Sequence, residues 1–239
     1  MSIYRIEEFA GDCREMGIDL SEKQFLQFEK YYELLTEWNS FMNLTAITEH
    51  EEVLKKHFLD SLSIVKAVKM EDIHTVMDIG TGAGFPGIPL KISYPHLKVV
   101  LLDSLGKRVK FLNHVINELG LEDISAIHGR AEDFARQAEY REQFDLCVSR
   151  AVANLSSLSE YCLPYTRKNC LFVSYKSGKV EEELENAKRA ISLLGGKVEY
   201  VSKFMLTDAG ERALVVIRKE KHTPNKYPRK AGLPSREPL

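Results

Sequence analysis

Asp78 follows the apolar pair Val76-Met77, and glycine recurs behind it at 80, 82, 84 and 87. Glycine has no Cβ, so Gly80, Gly82 and Gly84 permit a loop of positive φ whose backbone a ligand can approach. Ile88, Leu90 and Ile92 then begin a helix, with Pro86 and Pro89 where a first turn accepts proline. Strand, glycine loop and helix are how an open α/β sheet holds a nucleotide. By letters alone, Gly82-x-Gly84-x-x-Gly87 also satisfies the dinucleotide fingerprint of an NAD-linked dehydrogenase. An acid at 78 is a poor neighbour for a pyrophosphate and a good one for an ammonium group. The overlapping Asp-x-Gly-x-Gly-x-Gly spacing is the pattern of enzymes that use S-adenosylmethionine (AdoMet). Asp78, Gly80 and Gly82 are therefore candidate cofactor contacts, and the expected chemistry is methyl transfer.

Three further positions lie where such a sheet meets its ligand. Lys98 to Leu102 reads as a buried strand ending in Asp103, about 20 residues past the glycines, where an acid holds a ribose diol. Gly129-Arg130-Ala131-Glu132-Asp133 follows a short strand at 125–128 and opens a helix. A backbone N–H near Ala131 would serve the adenine ring, and either Glu132 or Asp133 could accept from its amino group. Arg150 leaves the C-terminal end of the strand at 144–148, outside the carboxyl ends of the strands, where ligands bind. No Asn/Asp-Pro-Pro-aromatic run follows that strand, which argues against chemistry on an exocyclic amine.

The elements that must position these residues divide the chain into three stretches. Residues 1–72 read as an N-terminal helical cap. Ser21-x-x-Gln24 is a capping box, and Phe25, Phe28, Tyr31, Tyr32, Leu35 and Trp38 form an aromatic core stripe behind it. Thr48-x-x-Glu51 reads as a second capping box before an apolar helix from Val53 to Val68. His57, Asp60 and Ser61 lie on that helix; they could line a cleft, and the reading preferred is a helix surface with local hydrogen bonds. Residues 73–219 read as the sheet domain, closed by a hairpin of Val198 to Leu206 with Ala213 to Arg218. Residues 220–239 form a basic tail. From 218 to the end the charge is +5, leaving −7 on the rest of a chain whose net charge is −2. A basic tail on an acidic body suits an RNA contact, with Lys226, Arg229 and Lys230 on phosphates and Tyr227 stacking; Lys107, Arg108 and Lys110 could add to it.

Apolar content of 44% with charged content of 28% suits a soluble globular protein. No apolar run approaches the length of a membrane span, and the acidic N-terminus does not read as a signal peptide. Cys13, Cys147, Cys162 and Cys170 lack metal or disulfide spacing and read as reduced thiols of a cytoplasmic protein. No metal site is expected.

Taken together, several segments resemble one family. These are Val76 to Leu90, Gly129-Arg130-Ala131-Glu132 and Ser149-Arg150-Ala151-Val152-Ala153. Upstream, Trp38-Asn39, Asn43-Leu44-Thr45 and His57 to Leu62 match as well, as does the tail from Thr223 to Gly232. The chain is similar over essentially its whole length to the glucose-inhibited division protein B family of bacterial small-subunit ribosomal RNA methyltransferases. The resemblance implies an α/β fold of class I AdoMet-dependent methyltransferase type, a Rossmann-like seven-stranded sheet with the last strand antiparallel. It implies methylation of a guanine N7 in 16S ribosomal RNA, or in a small-subunit precursor, by a monomer. Its cofactor contacts fall on Gly80, Phe85, Asp103, Ala131, Glu132 and Arg150. Guanine N7 carries an in-plane lone pair and no proton, so no general base is required and positioning is the expected mechanism. A methyltransferase of another substrate and a non-catalytic ribosome-binding module are the rival readings.

Overall fold

A computed structural model describes residues 6–150, 153–178, 180–206 and 209–239. Within the Ser149 to Ala153 motif, Ala151 and Val152 lie outside the described residues, as do Thr207 and Asp208 of the expected hairpin turn.

The chain builds a seven-stranded sheet of order β3-β2-β1-β4-β5-β7-β6. The strands are β1 (Thr75–Ile79), β2 (Lys98–Asp103), β3 (Ile124–His128), β4 (Phe144–Arg150), β5 (Thr166–Ser177), β6 (Gly196–Leu206) and β7 (Gly210–Lys219). The first five run parallel, and β7 lies antiparallel between β5 and β6. This is the expected class I arrangement. The central strands are apolar on both faces because both faces are covered. Successive residues alternate between two cores: Val76, Leu101, Leu146 and Val216 face one, and Met77, Leu102, Cys147 and Val215 face the other.

The first core is shared with the N-terminal helices α1 (Ile6–Glu15) and α2 (Glu22–Met42), where Phe9, Phe28, Tyr31 and Phe58 pack ring against ring. The Ser21–Gln24 capping box is present at the start of α2, and of the stripe Phe28, Tyr31 and Leu35 are buried. Thr48 does not cap. The next helix, α3 (His50–Val53), has Glu49 at its N-cap with no side-chain bond, and the Thr48 carbonyl instead accepts from the Tyr32 hydroxyl at 3.2 Å. The helical run continues through a π turn (Leu54–Leu59), α4 (Asp60–Leu62) and a 3₁₀ turn (Ser63–Lys66).

On this same face α5 (Gly87–Ser93) and α6 (Gly106–Glu118) cross the sheet, and Gly120, at φ 58°, ends α6. The second face carries α8 (Leu155–Cys162) and α9 (Glu181–Leu193), with the short α7 (Ala131–Phe134) and α10 (Leu233–Arg236) beside them. Cys13, Cys147 and Cys162 are buried free thiols, and Cys170 is half-buried. No helix among the described residues is long and apolar enough to cross a membrane.

A hydrogen bond helps tie the N-terminal helices to the glycine loop: the buried Tyr31 hydroxyl donates to the Ala83 carbonyl. A Cβ on Gly84, whose φ is 101°, would come within 2.6 Å of that hydroxyl. Tyr31→Phe should leave the carbonyl without this donor and lower stability by about 1–3 kcal/mol. Urea unfolding checks this, and an unchanged midpoint would show that the hydroxyl does not hold the loop.

Candidate active site

The parallel strands end together at Ile79, Asp103, His128, Arg150 and Ser177. Because β7 is antiparallel, it begins at that same edge, with Arg212 opposite Ser177. An open cleft of about 870 Å³ lies there, lined by Gly80, Gly82, Phe85, Asp103, Arg150 and Arg212 among others. A smaller cavity of about 170 Å³ adjoins it, lined by Ala131, Glu132, Tyr161 and Gly232. Gly80 and Ser104 line both, so the two form one trough along the strand ends.

The glycine loop takes positive φ at Gly80, Gly82 and Gly84. Asp78 does not face the cleft. Its carboxylate has no exposed surface; Oδ2 accepts from the Thr81 hydroxyl at 2.7 Å and from the Gly87 N–H at 2.8 Å. The expected ammonium partner is thus a clamp under the loop, because β1 delivers its side chain into the core. A Cβ on Gly87 would stand 2.9 Å from Asp78 Oδ2 and would run into Leu101, so the close approach needs glycine. Asp78 Oδ1 is buried with no hydrogen-bond partner among the described residues. Burial raises the carboxyl pKa to about 6, against the lowering effect of the Thr81 and Gly87 hydrogen bonds.

Asp103 ends β2 in the cleft wall. Its Oδ2 accepts from the Gly82 N–H at 2.9 Å and from Arg108 at 3.3 Å, and its Oδ1 accepts from the Leu105 N–H at 2.9 Å. These bonds fix the carboxylate and leave lone-pair capacity for a further donor. Across the trough the Glu132/Asp133 choice is resolved by position: Glu132 is buried and lines the smaller cavity, whereas Asp133 is exposed and does not. Glu132 Oε1 accepts from the Gly232 N–H at 2.7 Å.

Arg150 is held from the N-terminal side. It donates to Asp60 Oδ2 at 2.7 Å, to the His57 carbonyl at 3.2 Å and to Ser61 Oγ at 3.3 Å, and its guanidinium lies 5.0 Å from the Phe85 ring centre. The other Asp60 oxygen accepts from Arg212 Nε at 2.9 Å. His57 stacks on Phe85 at 4.6 Å, and burial, then the Arg150 charge, lowers its pKa to about 4, so the ring is neutral. His57, Asp60 and Ser61 therefore do not sit on an outer helix surface. A π turn carries an extra residue, which rotates the downstream residues relative to an α-helix and turns this group toward the sheet.

The C-terminal residues are placed differently from one another. Lys226 and Lys230 are exposed. Tyr227 is buried at 7% exposure, so its ring is not free to stack on a base, although Lys226 lies 5.2 Å from the ring centre. Arg229 forks onto Glu160, with Nε to Oε1 at 3.0 Å and a terminal nitrogen to Oε2 at 2.7 Å, and its charge is spent there. Arg108 turns to Asp103, and Lys107 donates to the Met42 carbonyl at 3.1 Å. Asp60, His57, Arg212, Tyr161 and Gly232 join the site without having been named as its contacts. The His57 to Leu62 match contained the first two and the Thr223 to Gly232 match contained Gly232, while no signal marked Arg212 or Tyr161.

The fittings suit a long ligand with a diol at one place and an amino-purine at another. Asp103 offers a carboxylate beside the loop, and Glu132 offers a second, enclosed one. Comparison with known proteins gives the family. The family model described as "GidB: rRNA small subunit methyltransferase G" matches residues 24–215. A ribosomal RNA small subunit methyltransferase G from Lachnoclostridium phytofermentans is 58% identical over 97% of this chain and 96% of its own. The Brevibacillus brevis protein of the same name is 50% identical over 98% of each. Among solved structures, an O-methyltransferase from Bacillus cereus in complex with SAH superposes with TM-score 0.59 at 16% identity, covering 90% of this chain and 100% of that one. A ribosomal protein L11 methylase from Lactobacillus delbrueckii superposes with TM-score 0.51 at 18% identity, covering 70% and 79%. These two show the fold. The family match over most of the chain and the full-length relatives show the lineage: the chain belongs to the GidB family, rRNA small subunit methyltransferase G, a family of AdoMet-dependent enzymes.

Proposed function

We propose that this chain transfers a methyl group from AdoMet to N7 of a guanine in 16S ribosomal RNA, free or in a small-subunit precursor, acting as a monomer in the cytoplasm. The observation that carries the cofactor reading is the two-part trough. Gly80 and Ser104 join its halves, Asp103 is fixed in the larger and Glu132 in the smaller. Asp103 would accept from the ribose hydroxyls. Ala131 and Glu132 would take the adenine, and Gly80, Gly82 and Phe85 would flank the rest.

When bound, AdoMet supplies a methyl group activated by its sulfonium. The protein then has to orient, and the residues around the larger cleft are built for that. Guanine N7 has no proton to lose, so the neutral, low-pKa His57 and the doubly ion-paired Asp60 need not act as bases. Arg150 cannot turn freely, since three acceptors and the Phe85 face hold it. It serves as a fixed cation and wall: beside N7 its charge would oppose the positive charge that develops there, so its part is positioning and not direct catalysis. Lys56, Arg108, Lys176 and Arg212 also line this cleft; each is ion-paired, yet with Arg150 they outnumber the cleft's Asp60, Asp103 and Glu183, and that positive excess suits a polyanionic RNA.

The direct test of substrate and atom is borohydride and aniline scission of 16S RNA from cells with and without the gene. Scission at one guanine should vanish in the deletion strain, and retained scission would overturn the assignment. For the cofactor end, Asp103→Asn should weaken S-adenosylhomocysteine (SAH) binding about 10- to 100-fold, as expected when charged hydrogen bonds are lost. Calorimetry checks it, and an unchanged affinity would remove Asp103 from the site.

Asp78 makes a pH prediction. Its folded pKa is raised above the unfolded value, so the stability it contributes is complete below about pH 4 and is lost as pH rises through about 6. The gap corresponds to roughly 3 kcal/mol. The difference in unfolding free energy between the wild type and Asp78→Asn should therefore shift in the variant's favour across that window, measured by urea unfolding without ligand. A difference that stays flat with pH would contradict the buried, partly orphaned carboxylate.

A further inference from the structure

The last twenty residues read by charge as a basic arm, yet they are strapped to the sheet domain beside the smaller cavity. Arg141 donates to the Thr223 carbonyl at 2.8 Å and to the Tyr227 carbonyl at 3.1 Å, and Arg136 donates to the Pro228 carbonyl. Glu160, at 1% exposure, accepts the Arg229 N–H at 2.7 Å as well as the guanidinium fork. Ser157 then donates to the Pro234 carbonyl at 2.7 Å, and Ser156 to the Leu239 carbonyl at 3.1 Å.

Between the Glu160 anchor and the Ser157 anchor the chain passes over the cavity. Gly232 and Ser235 form part of its wall. The Gly232 N–H takes one oxygen of Glu132, and among the described residues no protein donor is seen on the other, Oε2. Glu132 is 5% exposed and opens onto the cavity it lines. A carboxylate held by one oxygen presents the second in a fixed direction, and such an acceptor distinguishes an amino group from a carbonyl.

From this we infer that the C-terminal segment is a wall of the purine pocket, and that its Gly232 N–H aims Glu132 so that the pocket accepts an aminopurine and rejects its oxo counterpart. Arg229 on Glu160 is the latch that holds the segment there. The inference rests on the proposed cofactor reading and extends it to residues outside the sheet domain. It also assigns Arg229 to the cofactor pocket and not to RNA phosphates.

The test compares SAH with S-inosylhomocysteine, in which a carbonyl replaces the purine amino group, by calorimetry. The wild type should prefer SAH by at least about 10- to 100-fold, the loss of one hydrogen bond to a charged acceptor. A chain ending at Ala231 loses the Gly232 N–H and keeps the latch; Arg229→Lys keeps the charge and loses the fork. Both should bind SAH at least about ten-fold more weakly and show a smaller SAH preference. Both should hold a 16S RNA transcript as the wild type does across a salt series. If the shortened chain does not fold, as seen in its thermal melt, Arg229→Lys decides alone. Variants with unchanged SAH affinity and preference but weakened RNA binding would overturn the inference and restore the RNA arm. A wild type that does not bind SAH at all would bring down the cofactor reading, and this inference with it.

Discussion

The site depends on a carboxylate that no solvent reaches. Asp78 closes the loop after β1 by accepting from Thr81 and Gly87 at once, so it joins the start of the loop to the start of α5. Burying that group costs free energy, as its raised pKa records, and the two hydrogen bonds offset part of the cost. The loop's positive-φ glycines, with Gly80 and Gly82 in the cleft wall, follow from this closure. So does the need for glycine at 87, where a side chain would collide with the clamp.

A second set of charges binds the N-terminal helices to the sheet. Asp60 lies between Arg150 at the end of β4 and Arg212 at the start of β7, and all three are largely out of water. A shared carboxylate leaves the cluster with net positive charge facing the cleft. Breaking one partner of such a buried pair costs more than the pair contributes when intact, because an uncompensated charge stays behind. With Tyr31 bracing the loop at Ala83 and Tyr175 donating to the Ser61 carbonyl at 2.7 Å, the helical cap is part of the site's walls. The aromatic cluster of Phe9, Phe28, Tyr31 and Phe58 fixes the cap against the sheet.

What could be read in advance was local. The glycine loop, Asp103 after an apolar strand and Arg150 at a strand end carry their meaning within a few residues, and the structure brings all of them to one edge. Asp78 was legible as important but not in its direction, because a strand's alternation decides which way a side chain points. The Asp60 group was hidden by a π turn, since helical spacing assumes 3.6 residues per turn. Arg212 was missed although an antiparallel last strand was expected: it falls just before the expected Ala213 to Arg218 segment, whereas β7 begins at Gly210 and carries Arg212 beside the ends of the parallel strands. The C-terminal run looked like a basic arm for RNA because charge counts carry no partners. Glu160, which takes up Arg229, is 69 residues away in the chain.

The central claim is that one trough holds one bipartite cofactor, with Asp103 at its diol and Glu132 at its purine. A crystal structure of the SAH complex tests this most directly. The purine amino group is expected within hydrogen-bond distance of Glu132 in the smaller cavity, with both ribose hydroxyls on Asp103. A purine bound in the larger cleft beside Arg150, with the cavity at Glu132 unfilled, would contradict it.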